Sequence, residues 1–362
     1  MSKTSLEDVR AALSQVRDPA IDRELGAGGQ LTDVAVVDEG HIDIGIKLIS
    51  PGYPLREALE QRVAAALKPF GLTPSITYSL DIPHRPARQD LNRLPGVKNV
   101  LAVAAGKGGV GKSTTSVNLA LALRSLGARV GLLDADIYGP SLPKMLGRAD
   151  SPCDASTEKG HITPAIYRGM PVMSVDFFVE SGKAVVWRGP MIHKLLTQFL
   201  EDVRWGELDY LVVDLPPGTG DAQLSLGQLI PITGAVMVTT PQEVALLDVR
   251  KAVDMFKTLE VPVLGVLENM SYYQCPACGH HDSIFASGGG QRLADELEIQ
   301  LLGKIPIDTR ISHGGETGVP VVEANPHNTI SAAFCEAAAT AALELAKRSS
   351  TGPRRSTKLR MV

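Results

Sequence analysis

Gly106-Lys107-Gly108-Gly109-Val110-Gly111-Lys112-Ser113-Thr114 is the stretch from which the rest of the chain is read. It fits G-x-x-x-x-G-K-[ST], with an apolar run, Val100 to Ala105, before it and a helical pattern, Ser113 to Leu126, after it. Glycines let the backbone turn so tightly that successive N–H groups point inward. The N-terminus of the following helix adds partial positive charge. Such a cradle fits phosphate oxygens. Lys112 is placed to reach the β- and γ-phosphates of a nucleotide, and the Ser113 hydroxyl to bind Mg2+. A second cation, Lys107, lies inside the same turn. Two ammonium groups so close repel each other, and the pair makes sense where a triphosphate neutralises both.

Outward from this loop, short apolar runs alternate with helical stretches: Val100–Ala104, Val130–Leu133, Val172–Val175, Leu211–Val213, Ala235–Thr239 and Val263–Leu267. Fully apolar strands between helices predict an α/β fold with a mainly parallel, doubly wound sheet covered on both faces. The chemistry then falls at the carboxyl ends of the strands. Two of those ends are acidic. Val130–Leu133 runs into Asp134-Ala135-Asp136, and residues two apart on an extended chain point the same way, so both carboxylates can face the phosphate site. Leu211–Val213 ends in Asp214, placed to hold Mg2+ at the strand tip. Leu215-Pro216-Pro217-Gly218-Thr219-Gly220-Asp221 follows, its rigid prolines beside flexible glycines suiting a loop that senses the γ-phosphate.

Upstream lies a smaller unit. Residues 4–16 have apolar Leu6, Val9, Ala12 and Leu13 at helical spacing. Leu31 to Val37 and the alternating Ile42, Ile44, Ile46 and Leu48 predict two strands, a helix runs from about Pro54 to Leu67, and a strand lies near Ile76 to Leu80. The expected organisation is a small α+β domain over 1–81, a linker over 82–97, a P-loop ATPase domain over 98–348 and a basic tail over 349–362.

The formal net charge of −4, with 44% hydrophobic and 21% charged residues, predicts an ordinary globular protein without broad attraction to nucleic acid. No apolar run reaches the ~18 residues that cross a bilayer, and the first residues lack the apolar core of a secretion signal. A cytoplasmic protein with no membrane partner is expected.

The chain has four cysteines, two of them close together as Cys275-Pro276-Ala277-Cys278. In a cytosolic protein that spacing points to metal or redox chemistry. Three arrangements satisfy it: four thiolates from two copies around one iron–sulfur cluster, a zinc site completed by His280 and His281, or a redox dithiol. Cys335 reads as a small buried hydrophobe in a C-terminal helix, and Cys153 has no assigned role.

The loop Gly106–Thr114, with its early Lys107, resembles the deviant Walker A motif of the MinD/ParA/nitrogenase-iron-protein class. The resemblance implies a homodimer clamped around ATP, with Lys107 reaching the nucleotide of the partner subunit. It also implies that Asp136 orients or deprotonates the attacking water, that Asp134 supports Mg2+ through water, and that Asn269 hydrogen-bonds adenine. Pro306 and Asp308 stand where a base- or ribose-side loop is expected. A guanine-reading N-K-x-D is not found, which favours ATP.

A narrower resemblance spans roughly 98–320. Asp-Ala-Asp-Ile-Tyr-Gly-Pro-Ser at 134–141, Trp-Arg-Gly-Pro-Met at 187–191, Asp-Leu-Pro-Pro-Gly-Thr-Gly-Asp at 214–221, Glu-Asn-Met-Ser at 268–271, Cys275/Cys278 and Gly288-Gly289-Gly290 resemble the Mrp/ApbC iron–sulfur cluster carrier ATPases. The N-terminal unit resembles the small domain often fused to them. What this implies is a labile [4Fe-4S] cluster held by Cys275 and Cys278 of two subunits and delivered to apo iron–sulfur proteins, with ATP slowly hydrolysed. One position departs from the pattern: the Ser-Pro-Gly-x-Pro turn of the small domain usually carries cysteine at x, and here x is Tyr53, which puts a thiol handover through that domain in doubt. A zinc-stabilised MinD/ParA-type switch without cluster transfer is the alternative reading.

Overall fold

The computed structural model describes residues 6–38, 40–84, 94–147, 160–178, 189–275 and 277–350. Cys153, Trp187, Arg188, residues 85–93 of the expected linker and the tail from 351 lie outside them.

The small unit comprises residues up to Pro83 together with the end of the C-terminal helix from Leu343. Helix α1 (Leu6–Ser14) precedes strands β1 (Leu31–Val36) and β2 (His41–Leu48), which pair antiparallel. Helix α2 (Arg56–Leu67) crosses to β3 (Thr73–Leu80), which pairs parallel to β2. The alternation read in the sequence is the alternation of burial: Ile42, Ile44 and Ile46 are fully buried, with polar neighbours facing out. These isoleucines pack with Val9, Leu13, Leu59 and Val63, and Leu343 and Ala346 belong to the same core.

Tyr53 has a structural place there. It is buried, and its hydroxyl donates to Asp18 Oδ1 at 2.5 Å. Gln30 Nε2 donates to the other oxygen at 2.7 Å, and the Ala20 N–H to Oδ1 at 2.7 Å. Burial, then the adjacent Asp18, hold the phenol far above the ordinary tyrosine range. The position that carries cysteine in similar domains is here a hydrogen-bonded core residue.

The second unit, residues 84–342, is built on an eight-stranded sheet. In chain order its strands are β4 (Val97–Ala104), β5 (Val130–Asp134), β6 (Ala165–Tyr167), β7 (Met170–Met173), β8 (Leu208–Asp214), β9 (Gly234–Thr239), β10 (Val263–Glu268) and, after a two-residue pair β11 (Tyr273–Gln274) and β12 (His281–Asp282), β13 (Gln300–Lys304). The spatial order is β13-β10-β9-β4-β8-β5-β7-β6. Every pairing is parallel except that of β6 with β7 at one edge. The helices are α3 (Lys112–Ser125), α4 (Leu142–Met145), α5 (Gly189–Glu201), α6 (Asp221–Leu229), α7 (Glu243–Thr258), α8 (Gly289–Leu297), α9 (Thr309–Thr317), α10 (Val321–Ala324) and α11 (Thr329–Ser350). Strands β4, β5, β8, β9 and β10 are almost wholly buried, which is why their sequences are continuous apolar runs. Helix α3 is central too, buried without a break from Thr115 to Leu123.

One expectation is corrected. Helix α11 contains a segment, Thr329–Ser349, that is long and apolar enough to cross a membrane by length and composition, with mean hydropathy 1.3. Its apolarity serves the interior: 61% of the window is buried, and Ile330, Phe334, Ala337, Ala338, Ala341 and Ala342 are core positions. Its many alanines allow close packing on the buried face.

Candidate functional site

Strand β4 delivers the chain to the carboxyl edge of the sheet, where it folds into the loop 106–111 and enters α3. Gly106 is required by close approach: a side chain there would collide with the Asp248 backbone of α7. Gly111 is required twice over. It adopts φ +82°, and a Cβ would strike the Asn269 amide. Its left-handed turn starts α3, so the helix N-terminus faces the cradle.

Four expected residues meet at one point. Lys112 Nζ lies 2.8 Å from Asp214 Oδ2 and 3.4 Å from Asp136 Oδ2. The Ser113 hydroxyl donates to Asp214 Oδ2 at 2.6 Å. The register explains the meeting: β5 and β8 are paired with Asp134 opposite Asp214, and β8 lies beside β4. Asp134 is fully buried, accepting from the Ser174 hydroxyl and from the Asp136 N–H, each at 3.1 Å. Burial first, then the charge of Asp214, push its carboxyl up to about 8, against the pull of Lys112. Asp136 is raised as well, by burial first and also by Asp214, while Lys112 opposes. Three acidic groups crowd one lysine and hold each other's ionisation back, a crowding that a divalent cation would relieve. Ser113 and Asp214 present hard oxygens of the kind Mg2+ takes.

Two contributors were not read from the sequence. Ser116, one helical turn beyond Ser113, donates to Asp214 Oδ1 at 2.6 Å, so both oxygens of that carboxylate are held by α3. The i+3 spacing from Ser113 was the available signal. Ser174 on Asp134 had none, since it arrives from the end of β7.

Lys107 is half-buried, and no ion pair engages it among the described residues. Thr114 is half-buried at the first turn of α3, its carbonyl accepting from Asn118 Nδ2 at 2.9 Å. Gly108 and Gly109 are exposed at the crest of the loop. The Asn269 side chain is buried, and its Nδ2 donates to Val110 O at 2.9 Å, against the loop itself. Asp308 caps α9, accepting from the Arg310 N–H at 2.8 Å, and pairs with that guanidinium at 2.7 Å. An apolar cleft of about 500 Å³ opens beside the phosphate site, lined by Ala135, Ile137 and Tyr138 on one wall and Pro190, Pro216 and Leu226 on others.

Cys275 and Cys278 sit at the tip of the β11–β12 hairpin. The Gly279 N–H donates to Cys275 O at 2.8 Å and the Cys275 N–H to His280 O at 2.9 Å, closing a tight turn. Cys278 is exposed and Cys275 half-buried, both as free thiols. The N–H of Cys278, then that of Ala277, then the Cys278 thiol point at the Cys275 sulfur and hold it below the ordinary thiol range. A thiolate is thereby favoured, the form that ligates soft metals. His281 stacks on Tyr272, rings 4.9 Å apart. Among the described residues no group of three or more His, Cys, Asp or Glu side chains converges on a metal position. Within one chain the pair offers two sulfurs.

A strand, a glycine-rich turn and a helix, with acidic tips on the two neighbouring strands, define a P-loop NTPase. Comparison with known proteins narrows the class. The chain belongs to the family described as NUBPL iron-transfer P-loop NTPase, which matches residues 96–342, and residues 6–72 match the family described as iron-sulfur cluster assembly protein. It is 42% identical to the iron-sulfur cluster carrier protein of Haemophilus influenzae over 93% of this chain and 91% of that one. The carrier protein of Deinococcus radiodurans is 43% identical over 93% and 95%. Among solved structures, a nucleotide-binding protein from Archaeoglobus fulgidus in complex with ADP is 38% identical, with TM-score 0.57, covering 65% of this chain and 92% of that one. The cell division ATPase MinD of Pyrococcus furiosus shares the fold, with TM-score 0.50 at 24% identity, over 67% of this chain and 97% of that one.

Proposed function

We propose that the protein is an ATP-hydrolysing iron–sulfur cluster carrier that works as a homodimer in the cytoplasm. It holds a [4Fe-4S] cluster as cargo between two subunits and passes it to apo iron–sulfur proteins. The observation that carries this reading is the Cys275/Cys278 turn: two accessible sulfurs, one held toward thiolate by backbone N–H groups, on a chain of the iron-transfer family. Two sulfurs per chain do not close a tetrahedral site, whereas two chains supply the four thiolates of a cubane cluster.

The nucleotide reaction follows from the residues at the sheet edge. The amides of 106–111 and the N-terminus of α3 bind the triphosphate. Lys112, drawn from the carboxylates of Asp214 and Asp136, neutralises its terminal phosphates, and Lys107 of the partner subunit adds charge from across the dimer. Ser113 and Asp214 would hold Mg2+ with Asp134 behind them, and when bound the ion polarises phosphate oxygens. Asp136, raised by burial, is suited to accept a proton from the attacking water at its carboxylate. Asn269, whose Nδ2 braces the loop, is the residue placed to hydrogen-bond adenine.

The test is anaerobic reconstitution of the wild type and Cys278→Ser. A brown species with four irons per two chains, lost in the variant, supports the carrier. Stoichiometric zinc that survives reconstitution supports the ATPase switch instead.

A further inference from the structure

The cysteine hairpin is an excursion that leaves the sheet after Asn269 and returns at Gly288, and both of its ends meet one side chain. Glu268 Oε1 accepts from the Ser271 hydroxyl at 2.6 Å, and Oε2 accepts from the Gly290 N–H at the start of α8. Glu268 is 1% exposed, and a Cβ on Gly290 would lie 2.8 Å from its carboxylate, so the latch admits only glycine there. The next residue does the same for the phosphate loop: Asn269 Nδ2 donates to Val110 O at 2.9 Å. Both residues are pinned in the sheet, with the Ile305 N–H donating to Glu268 O at 2.9 Å and the Asn269 N–H to Thr239 O at 2.8 Å. The excursion is in turn laced to the segment that follows β13, the Ser271 N–H to Ile305 O at 2.9 Å and the Ile307 N–H to Tyr272 O at 2.7 Å.

We infer that Glu268-Asn269 is the coupling element of this protein: it carries the state of the phosphate loop to the cysteine pair. The physical link is a peptide plane. Val110 C=O and Gly111 N–H belong to one rigid trans unit, so a phosphate that orients the Gly111 N–H also orients the carbonyl that Asn269 holds. A displacement of Asn269 moves Glu268 with it, and Glu268 grips both feet of the cysteine excursion. Both latches lie outside the 135–138 and 215–221 loops, so the route does not depend on them. Glu268 and Asn269 act as positioning residues. The inference rests on the proposed roles of the phosphate loop and the cysteine pair, and its test is chosen to need no cluster.

The test measures alkylation of Cys275 and Cys278 by iodoacetamide in the full-length apo-protein, resolved by peptide mass spectrometry, with and without the non-hydrolysable Mg2+–AMP-PNP. Nucleotide is expected to change the wild-type rate by about fivefold or more, the low end of ordinary site-to-site coupling. Glu268→Ala removes both acceptors and is expected to bind AMP-PNP as the wild type does, with the rate change collapsing to less than about twofold. Ser271→Ala releases one foot only and gives an intermediate response, and it serves alone should Glu268→Ala fail to fold. A wild-type rate indifferent to nucleotide, or either variant keeping the full wild-type response, overturns the inference. Failure of cluster loading leaves this readout intact and counts against the carrier reading only.

Discussion

The Ser113 hydroxyl donates to Asp214 Oδ2 across 2.6 Å, joining the first turn of α3 to the tip of β8. The two residues are far apart in sequence, and the parallel β4–β8 register brings them together. Lys112 lies on the same oxygen at 2.8 Å, so a nucleotide bound as proposed would compete with carboxylates for one ammonium group.

Removing that group leaves Asp214 and Asp136 without their ammonium partner. Lys112→Ala is expected to lower kcat/KM for ATP by about 100-fold or more, the scale of losing one preorganised charge stabiliser. Phosphate release at saturating Mg2+ measures it, and full activity in the variant contradicts the site assignment.

Ser116 holds the second oxygen of Asp214. Ser116→Ala is expected to raise the Mg2+ needed for half-maximal hydrolysis by about tenfold, as outer-shell partners of metal ligands commonly do. The cost in folding is about 1–3 kcal/mol, because a buried acceptor loses its donor. A Mg2+ titration of the ATPase rate separates the two effects.

The site was legible where its chemistry is local in sequence. The loop 106–114 and the acidic strand ends at 134, 136 and 214 each declare themselves within a few residues. Ser174 on Asp134 and Glu268 across the cysteine excursion do not, because their partners arrive from other strands. The edge strands β6 and β13 escaped for a related reason: they are short or half-exposed and lack the continuous apolar run of β8. Helix α11 shows that composition alone does not separate an alanine-rich core helix from a membrane span; its burial does.

Tyr53 illustrates how a departure from a motif finds its explanation only in the packing. Tyr53→Phe removes one of three donors to the buried Asp18 carboxylate and is expected to cost about 1–3 kcal/mol. Tyr53→Cys also loses the ring and is expected to cost more, about 3–5 kcal/mol. Urea unfolding of the full chain measures both, and a neutral Tyr53→Phe would show that the hydroxyl contributes nothing.

Asp209, at the amino end of β8, contributes a pH-dependent part of the stability. Burial alone would raise it, but hydrogen bonds from Arg129 and Lys98 hold it below the ordinary 3.8. A carboxylate lowered in the folded state stabilises above its unfolded pKa and loses that contribution as pH falls through the folded value. Asp209→Asn is therefore expected to cost about 1–3 kcal/mol at pH 7. The gap to the wild type closes below pH 3.8. Thermal unfolding across pH 3 to 7 checks it; a gap independent of pH excludes the ionic contribution.

In the proposed carrier, the two sulfurs of one chain are half of a cargo site completed by a second chain. Native mass spectrometry of protein purified without oxygen counts chains and irons in one experiment. A species of two chains plus one Fe4S4 unit is expected, absent from Cys278→Ser. A single chain carrying one zinc ion, with no iron in any dimer, contradicts it.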